Sequence, residues 1–173
     1  MRNKKKLGFG ICNDERKKEL YFLIKFFLIY GTLQAIIYFA DVSFITNWIA
    51  SFEASLFQLE SQGNAIRAGT AVFVINNSCT GLVSISVLAA IVFSFRKPSL
   101  REKIIVFLPC SAILFLVNLA RVYAVIYAGV HISHSLVEPL HVGSWFVMSG
   151  AIVLLWYYGT KKIAKIRYFA ELL

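Results

Sequence analysis

Charge is scarce in this chain, and negative charge above all: charged residues make up 16% of 173 positions, and only 9 are Asp or Glu. Soluble domains carry roughly 25% charged residues. A chain that is 58% apolar and 15% aromatic is therefore neither disordered nor an ordinary water-soluble globule. Three cysteines make no disulfide framework, and none stands in a CxxC or Cys/His zinc spacing. Three prolines, no internal repeats and no low-complexity tract leave nothing to mark a second domain, so residues 1–173 read as a single membrane domain. The first apolar run lacks a small-residue cleavage site and exceeds the roughly 7–15 residues of a secretory signal core, which makes it a retained span.

What is present is four apolar runs long enough to approach a hydrocarbon core of about 30 Å, which takes roughly 20 helical residues. They run from about Tyr21 to Ala40, Thr80 to Phe95, Ile104 to Arg121 or a little beyond, and Pro139 to Tyr158. Lys25, near the start of the first, can snorkel to the interface. The expected fold is an all-α integral membrane protein, a bundle of four transmembrane helices. The 18 Lys and Arg do not point to nucleic acid, because all but Lys25, Arg67 and Arg121 gather in three short segments between or beyond these runs. The N-terminal segment holds Arg2, Lys4, Lys5, Lys6, Arg16, Lys17 and Lys18 against Asp14, Glu15 and Glu19. Arg96, Lys97, Arg101 and Lys103 stand against Glu102 alone, and Lys161, Lys162, Lys165 and Arg167 against Glu171. The segment Asp41 to Ser78 has Asp41, Glu53 and Glu60 against Arg67. The positive-inside rule then places both termini in the cytoplasm of a cell whose plasma membrane the chain crosses, with the acidic connections outside.

Outside, Phe44, Ile45, Trp48, Ile49, Phe52 and Leu56 recur at helical spacing among Asn47, Ser51 and Glu53. This predicts an extracellular amphipathic helix, lying along the bilayer surface or packed on the bundle. Asn64 to Asn76 is rich in β-branched residues, with Ala68 and Gly69 suited to a turn, which predicts a small β-hairpin before the second span. It leads directly into Asn77, Ser78 and Cys79.

Polar or ionisable groups at the edge of an apolar span are functional candidates, and three lie at one depth. Cys79 precedes the second span, Arg121 ends the apolar part of the third, and His141 opens the fourth just after Pro139. All three meet the outer leaflet from different helices, which is how a bundle builds a site. A thiol is mostly protonated at its free pKa of about 8.5, and a helix N-terminus with neighbouring cations stabilises the thiolate. An imidazole takes and returns protons near neutral pH. An arginine stays charged and holds a thiolate or an oxyanion. Gly81 lets another backbone come close. Together these groups describe acyl transfer through a thioester. Asn118 shares a helix face with Arg121 and bonds either to the site or to a neighbouring helix. Glu138 either orients the His141 imidazole or caps its helix. Cys110 in mid-span and Cys12 read as small hydrophobes. His131 and His134 could join His141 around a metal, but no carboxylate or thiolate shell accompanies them, so neither metal nor cofactor is expected. Asn76-Asn77-Ser78 matches a glycosylation acceptor, too close to the membrane for use.

Asn-Ser-Cys79-Thr-Gly at the start of one span, Asn118-Leu-Ala-Arg121 in the next and His141-Val-Gly-Ser-Trp opening the last resemble the exosortase and archaeosortase family. The resemblance covers roughly Asn64 to Tyr158. It implies a membrane cysteine transpeptidase or protease, with Cys79 as nucleophile, Arg121 as oxyanion or thiolate partner and His141 as acid/base. It further implies partners that are secreted proteins ending in a short motif, a transmembrane helix and a basic tail, as in PEP-CTERM and PGF-CTERM signals. These are cut near the outer face, and the new C-terminus passes to a membrane lipid or an amine. The chain departs from the family in having fewer spans than many members and in carrying no acidic residue next to the histidine. Two other classes compete. A transporter subunit would line a pore with Arg121 and the histidines but needs polar residues through the whole depth of the bilayer. A non-catalytic membrane scaffold would need no thiol at Cys79.

Overall fold

The computed structural model describes the backbone of residues 3–164 and the side chains of 16–163 apart from that of His134. Of the residues named above, Arg2, Lys4, Lys5, Lys6, Cys12, Asp14 and Glu15, and in the tail Lys165, Arg167 and Glu171, lie outside the residues whose side chains are described.

The apolar runs form helices. Helix α1 covers Asn3–Phe39, α4 Leu100–His131 and α5 Val137–Ala164. Each contains a stretch long and apolar enough to cross a membrane: Arg16–Phe39, Leu100–His131 and Val137–Ile163. The expected second span is different. Helix α3 covers only Leu82–Ser94, and its 13 residues give about 20 Å, short of a core of about 30 Å. Both its ends are fixed. Gly81 precedes it with φ of +77°, a left-handed conformation that a side chain would strain. Beyond it Phe95 turns extended, and the Lys103 ammonium donates to the Phe95 carbonyl, which answers an unpaired group at the helix end.

Helix α4 begins with reciprocal bonds between Ser99 and Glu102. It continues well past Arg121, the expected end of the third span, because Val122 to Val130 offers no break. Arg121 thus lies within the helix, with about 15 Å of further helix beyond it. Helix α1 lies against α3 at the side of the bundle, joined by Phe22 on Phe95 at 4.6 Å between ring centres and by Gln34 Nε2 donating to Ser86 Oγ at 2.8 Å. Such a polar pair ties apolar helices together where no water competes.

Between α1 and α3 the chain builds a cap. Helix α2 spans Ser43–Phe57. A three-stranded antiparallel sheet follows, β1 Glu60–Gln62, β2 Ala65–Ala68 and β3 Ala71–Val74, in the order β1-β2-β3. The expected hairpin is β2-β3, with Ala68 paired to Ala71 across a turn where Gly69 has φ of +62°. Strand β1 is an addition. Its Glu-Ser-Gln sequence is exposed throughout and has no apolar alternation to announce it.

The stripe expected on α2 divides in two. Thr46, Ile49, Ala50, Glu53 and Ala54 face inward, whereas Phe44, Trp48, Phe52 and Leu56 stay exposed. Small residues let α2 lie close on the sheet, and the large apolar ones form an outer row. The core has two parts stacked along α4. One joins Ile49, Ile66, Phe73 and Ile75 to Cys79, Val122 and Ile126. The other joins Leu88, Val106, Cys110, Leu114 and Met148 among α3, α4 and α5.

Candidate active site

The site forms where the cap meets the bundle. Asn77–Cys79 is one 3-10 turn, and local bonds hold it. The Asn76 side chain accepts from Ser78 N–H at 3.0 Å, Cys79 N–H donates to the Asn76 carbonyl at 2.9 Å, and Thr80 Oγ1 donates to the Asn77 carbonyl at 2.7 Å. The Asn-Asn-Ser run that resembles a glycosylation acceptor thus serves to shape this turn. A tertiary bond then docks it: Asn118 Nδ2 on α4 donates to the Cys79 carbonyl at 2.7 Å. Asn118 is fully buried, and a Cβ at Gly81 would stand 3.1 Å from its side chain, so the glycine admits the close approach. Cys79 itself is 7% exposed.

The same Asn118 accepts from Arg121 Nη1 at 3.1 Å. Arg121 Nε donates to Ser144 Oγ on α5 at 2.6 Å, and Nη2 lies 3.2 Å from His141 Nδ1 and 3.4 Å from Nε2. Whichever ring nitrogen carries no proton can accept from the guanidinium. Ser144 can accept because its own proton goes to the His141 carbonyl at 2.6 Å. Arg121 is therefore held by three side chains from two helices, in the forked geometry that a guanidinium offers and an ammonium does not.

Cys79, Arg121 and His141 line one cavity of about 200 Å³, together with Val72 to Asn76, Val122, Val125, Ile126 and Val137. The three groups expected to meet at one depth do converge here. Among the described residues no hydrogen bond joins the thiol directly to either partner; the chain of contact runs from the Cys79 backbone through Asn118 to Arg121. Arg121 also borders a second, largely apolar cavity of about 440 Å³ between α4 and α5, lined by Val117, Ala124, Leu140, Gly143 and Val147 among others.

The remaining candidates make no hydrogen bond to the thiol or the guanidinium among the described residues. Glu138 is exposed and makes no hydrogen bond to His141 among the described residues. His131 packs on Tyr127 at 4.7 Å between ring centres and near Phe57, at the end of α4. Cys110 sits in the lower core, its thiol 3.6 Å from the Leu155 carbonyl.

Ser144 is the residue that sequence reasoning missed. A serine in an apolar helix usually bonds to its own backbone, and this one does so as well. The available signal was its place three residues after His141, on the same helix face.

A family model described as a transmembrane exosortase matches residues 19–157, which includes every residue of this site. No curated protein and no solved structure matches the chain.

Proposed function

The chain belongs to the transmembrane exosortase family, and from that premise we propose that it is a cysteine transpeptidase or peptidase cutting C-terminal sorting signals of secreted proteins at the outer face of the plasma membrane. The observation that carries this reading is the shared cavity of Cys79, Arg121 and His141, with the guanidinium held in place by Asn118 and Ser144.

In the proposed reaction His141 takes the Cys79 proton as sulfur attacks the carbonyl carbon of the scissile peptide. The carbonyl oxygen becomes an oxyanion facing Arg121. Asn118 and Ser144 engage two of the five guanidinium N–H groups throughout, and the contact from Nη2 to His141 is given up as the imidazole takes the proton, which leaves donors for that charge. The intermediate collapses as the C–N bond breaks, and the imidazolium returns its proton to the leaving amine. The product is a thioester on Cys79 and a released membrane-anchored tail. An amine, a lipid or water then attacks the thioester and frees the thiol.

In the same proposal α3, lengthened at one end by the turn at Asn77–Cys79 and at the other by Phe95 to Pro98, completes a four-span bundle. The basic segment at Arg96 to Lys103 marks the cytoplasmic end, so the site opens outside. The outer row Phe44, Trp48, Phe52 and Leu56 lets α2 rest on the outer membrane surface. The signal's own helix would dock laterally, and the apolar cavity of α4 and α5 beside Arg121 suits that contact.

The test is processing of a co-expressed secreted reporter that ends in a short motif, a membrane span and a basic tail. Cys79→Ala and Cys79→Ser are expected to abolish cleavage while leaving membrane insertion intact, and Cys110→Ala to leave it unchanged. Cleavage by Cys79→Ala at the wild-type rate would remove the thioester mechanism and favour a scaffold.

A further inference from the structure

The cavity at Cys79 has a wall made of bare strand. Five successive residues, Val72 to Asn76, line it. Val72 and Val74 lie on one face of β3, 52% and 58% exposed, while Phe73 and Ile75 lie buried on the other. A cavity under one face would meet the side chains of alternate residues only; contact with both sets fits a course along the strand's edge.

The register shows which backbone groups point there. Ile75 N–H donates to the Asn64 carbonyl at 2.8 Å and Asn64 Nδ2 donates to the Ile75 carbonyl at 3.0 Å, so Ile75 turns its polar groups toward the β2 side. Alternation does the same for Phe73, paired with Ile66, and directs the N–H and C=O of Val72 and Val74 away from the sheet. Strand β3 is an edge, and among the described residues no strand pairs with its far side. Edges are ordinarily blunted with charge, proline or a covering loop, whereas this one reads Ala-Val-Phe-Val.

We infer that the outer edge of β3 binds the substrate segment as an added extended strand, with its main chain bonded to Val72 and Val74 and its scissile bond carried along the cavity to Cys79. The inference rests on the thioester reading of Cys79 and adds how the peptide is held. From Val72 to Asn76 at about 3.3 Å per residue the edge is roughly 13 Å long, the length of about four extended residues. Val122, Val125 and Ile126 of α4 line the same cavity, as do Arg121 and His141. Strand addition of this kind draws affinity from main-chain bonds, so segments of different sequence can share the docking while the residues nearest Cys79 select the cut.

Two measurements test it. In a Cys79→Ala background, Val74→Cys is oxidised against reporters carrying single cysteines at successive positions before their membrane span. An added strand gives crosslinks at alternate positions, with the intervening ones weak; crosslinks at every position alike, or at none, overturn it. Second, Val74→Pro removes one outward N–H, which an edge strand tolerates. It is expected to slow reporter processing about tenfold while alkylation of Cys79 proceeds at the wild-type rate. Unchanged processing overturns the inference. The crosslinks report docking whether or not cleavage occurs, so a Cys79→Ala enzyme that still cut the reporter would remove the chemistry and leave the docking standing.

Discussion

Glu53 gives the most quantitative test of the cap. It points into the face of α2 that packs on the sheet, is 0% exposed, and neither carboxyl oxygen has a hydrogen-bond partner among the described residues. Burial penalises its ionised form and pushes its pKa from 4.5 up to about 7. In the unfolded chain the group ionises near 4.5, so between that pH and about 7 the folded state binds the additional proton. Stability therefore falls as pH rises through this window and stays low above it. At about 1.4 kcal/mol for each tenfold change in proton affinity, the penalty above pH 7 is about 3 kcal/mol. For a chain of this size that corresponds to a drop in Tm of roughly 6–12 °C. Glu53→Gln keeps the shape and removes the proton, so its Tm in detergent should lack this drop between pH 4.5 and pH 8.5. A wild-type Tm that rises over that range relative to the variant, or parallels it, would refute the reasoning.

The bonds at Arg121 predict graded losses. Arg121→Lys cannot reach Asn118, Ser144 and His141 at once and is expected to lower reporter processing by about 100-fold, or roughly 3 kcal/mol in the barrier; near-normal turnover would mean that charge alone suffices. Ser144→Ala leaves the Nε donor without its partner and is expected to reduce processing about tenfold, with membrane insertion unchanged; an unaltered rate would separate Ser144 from the site. Gly81→Ala places a side chain at φ of +77° and 3.1 Å from Asn118, which should cost about 1–3 kcal/mol of stability and disturb the turn that carries Cys79. Equal thermal unfolding of the variant and the wild type would contradict that packing.

Much of the site could be read from sequence because it depends on position along apolar runs. Cys79 and His141 each stand at the start of a helix, where a change from polar to apolar residues marks the boundary. Arg121 was legible as a charge out of place, though not the length of its helix, because Val122 to Val130 remains apolar enough to continue it. Asn118 was legible only as a choice between the site and a neighbouring helix, and it bonds to the site twice, at the Cys79 carbonyl and at Arg121. What escaped depends on tertiary contact. Strand β1 is polar and exists because β2 offers it a partner. Glu53 sits among small residues that look like the weaker face of an amphipathic helix, yet that face is the buried one, since the sheet admits alanines more closely than aromatics. The outer row on α2 answers to a different surface, and composition alone does not say which face is which.

The most direct measurement is capture of the covalent intermediate. Purified enzyme is mixed with the reporter, quenched in acid and mapped by mass spectrometry, with and without hydroxylamine. The account predicts a hydroxylamine-labile acyl adduct on Cys79 that ends at the reporter's new C-terminus and is missing from Cys79→Ala. Cleavage that proceeds with no adduct, or with one on another residue, would contradict it.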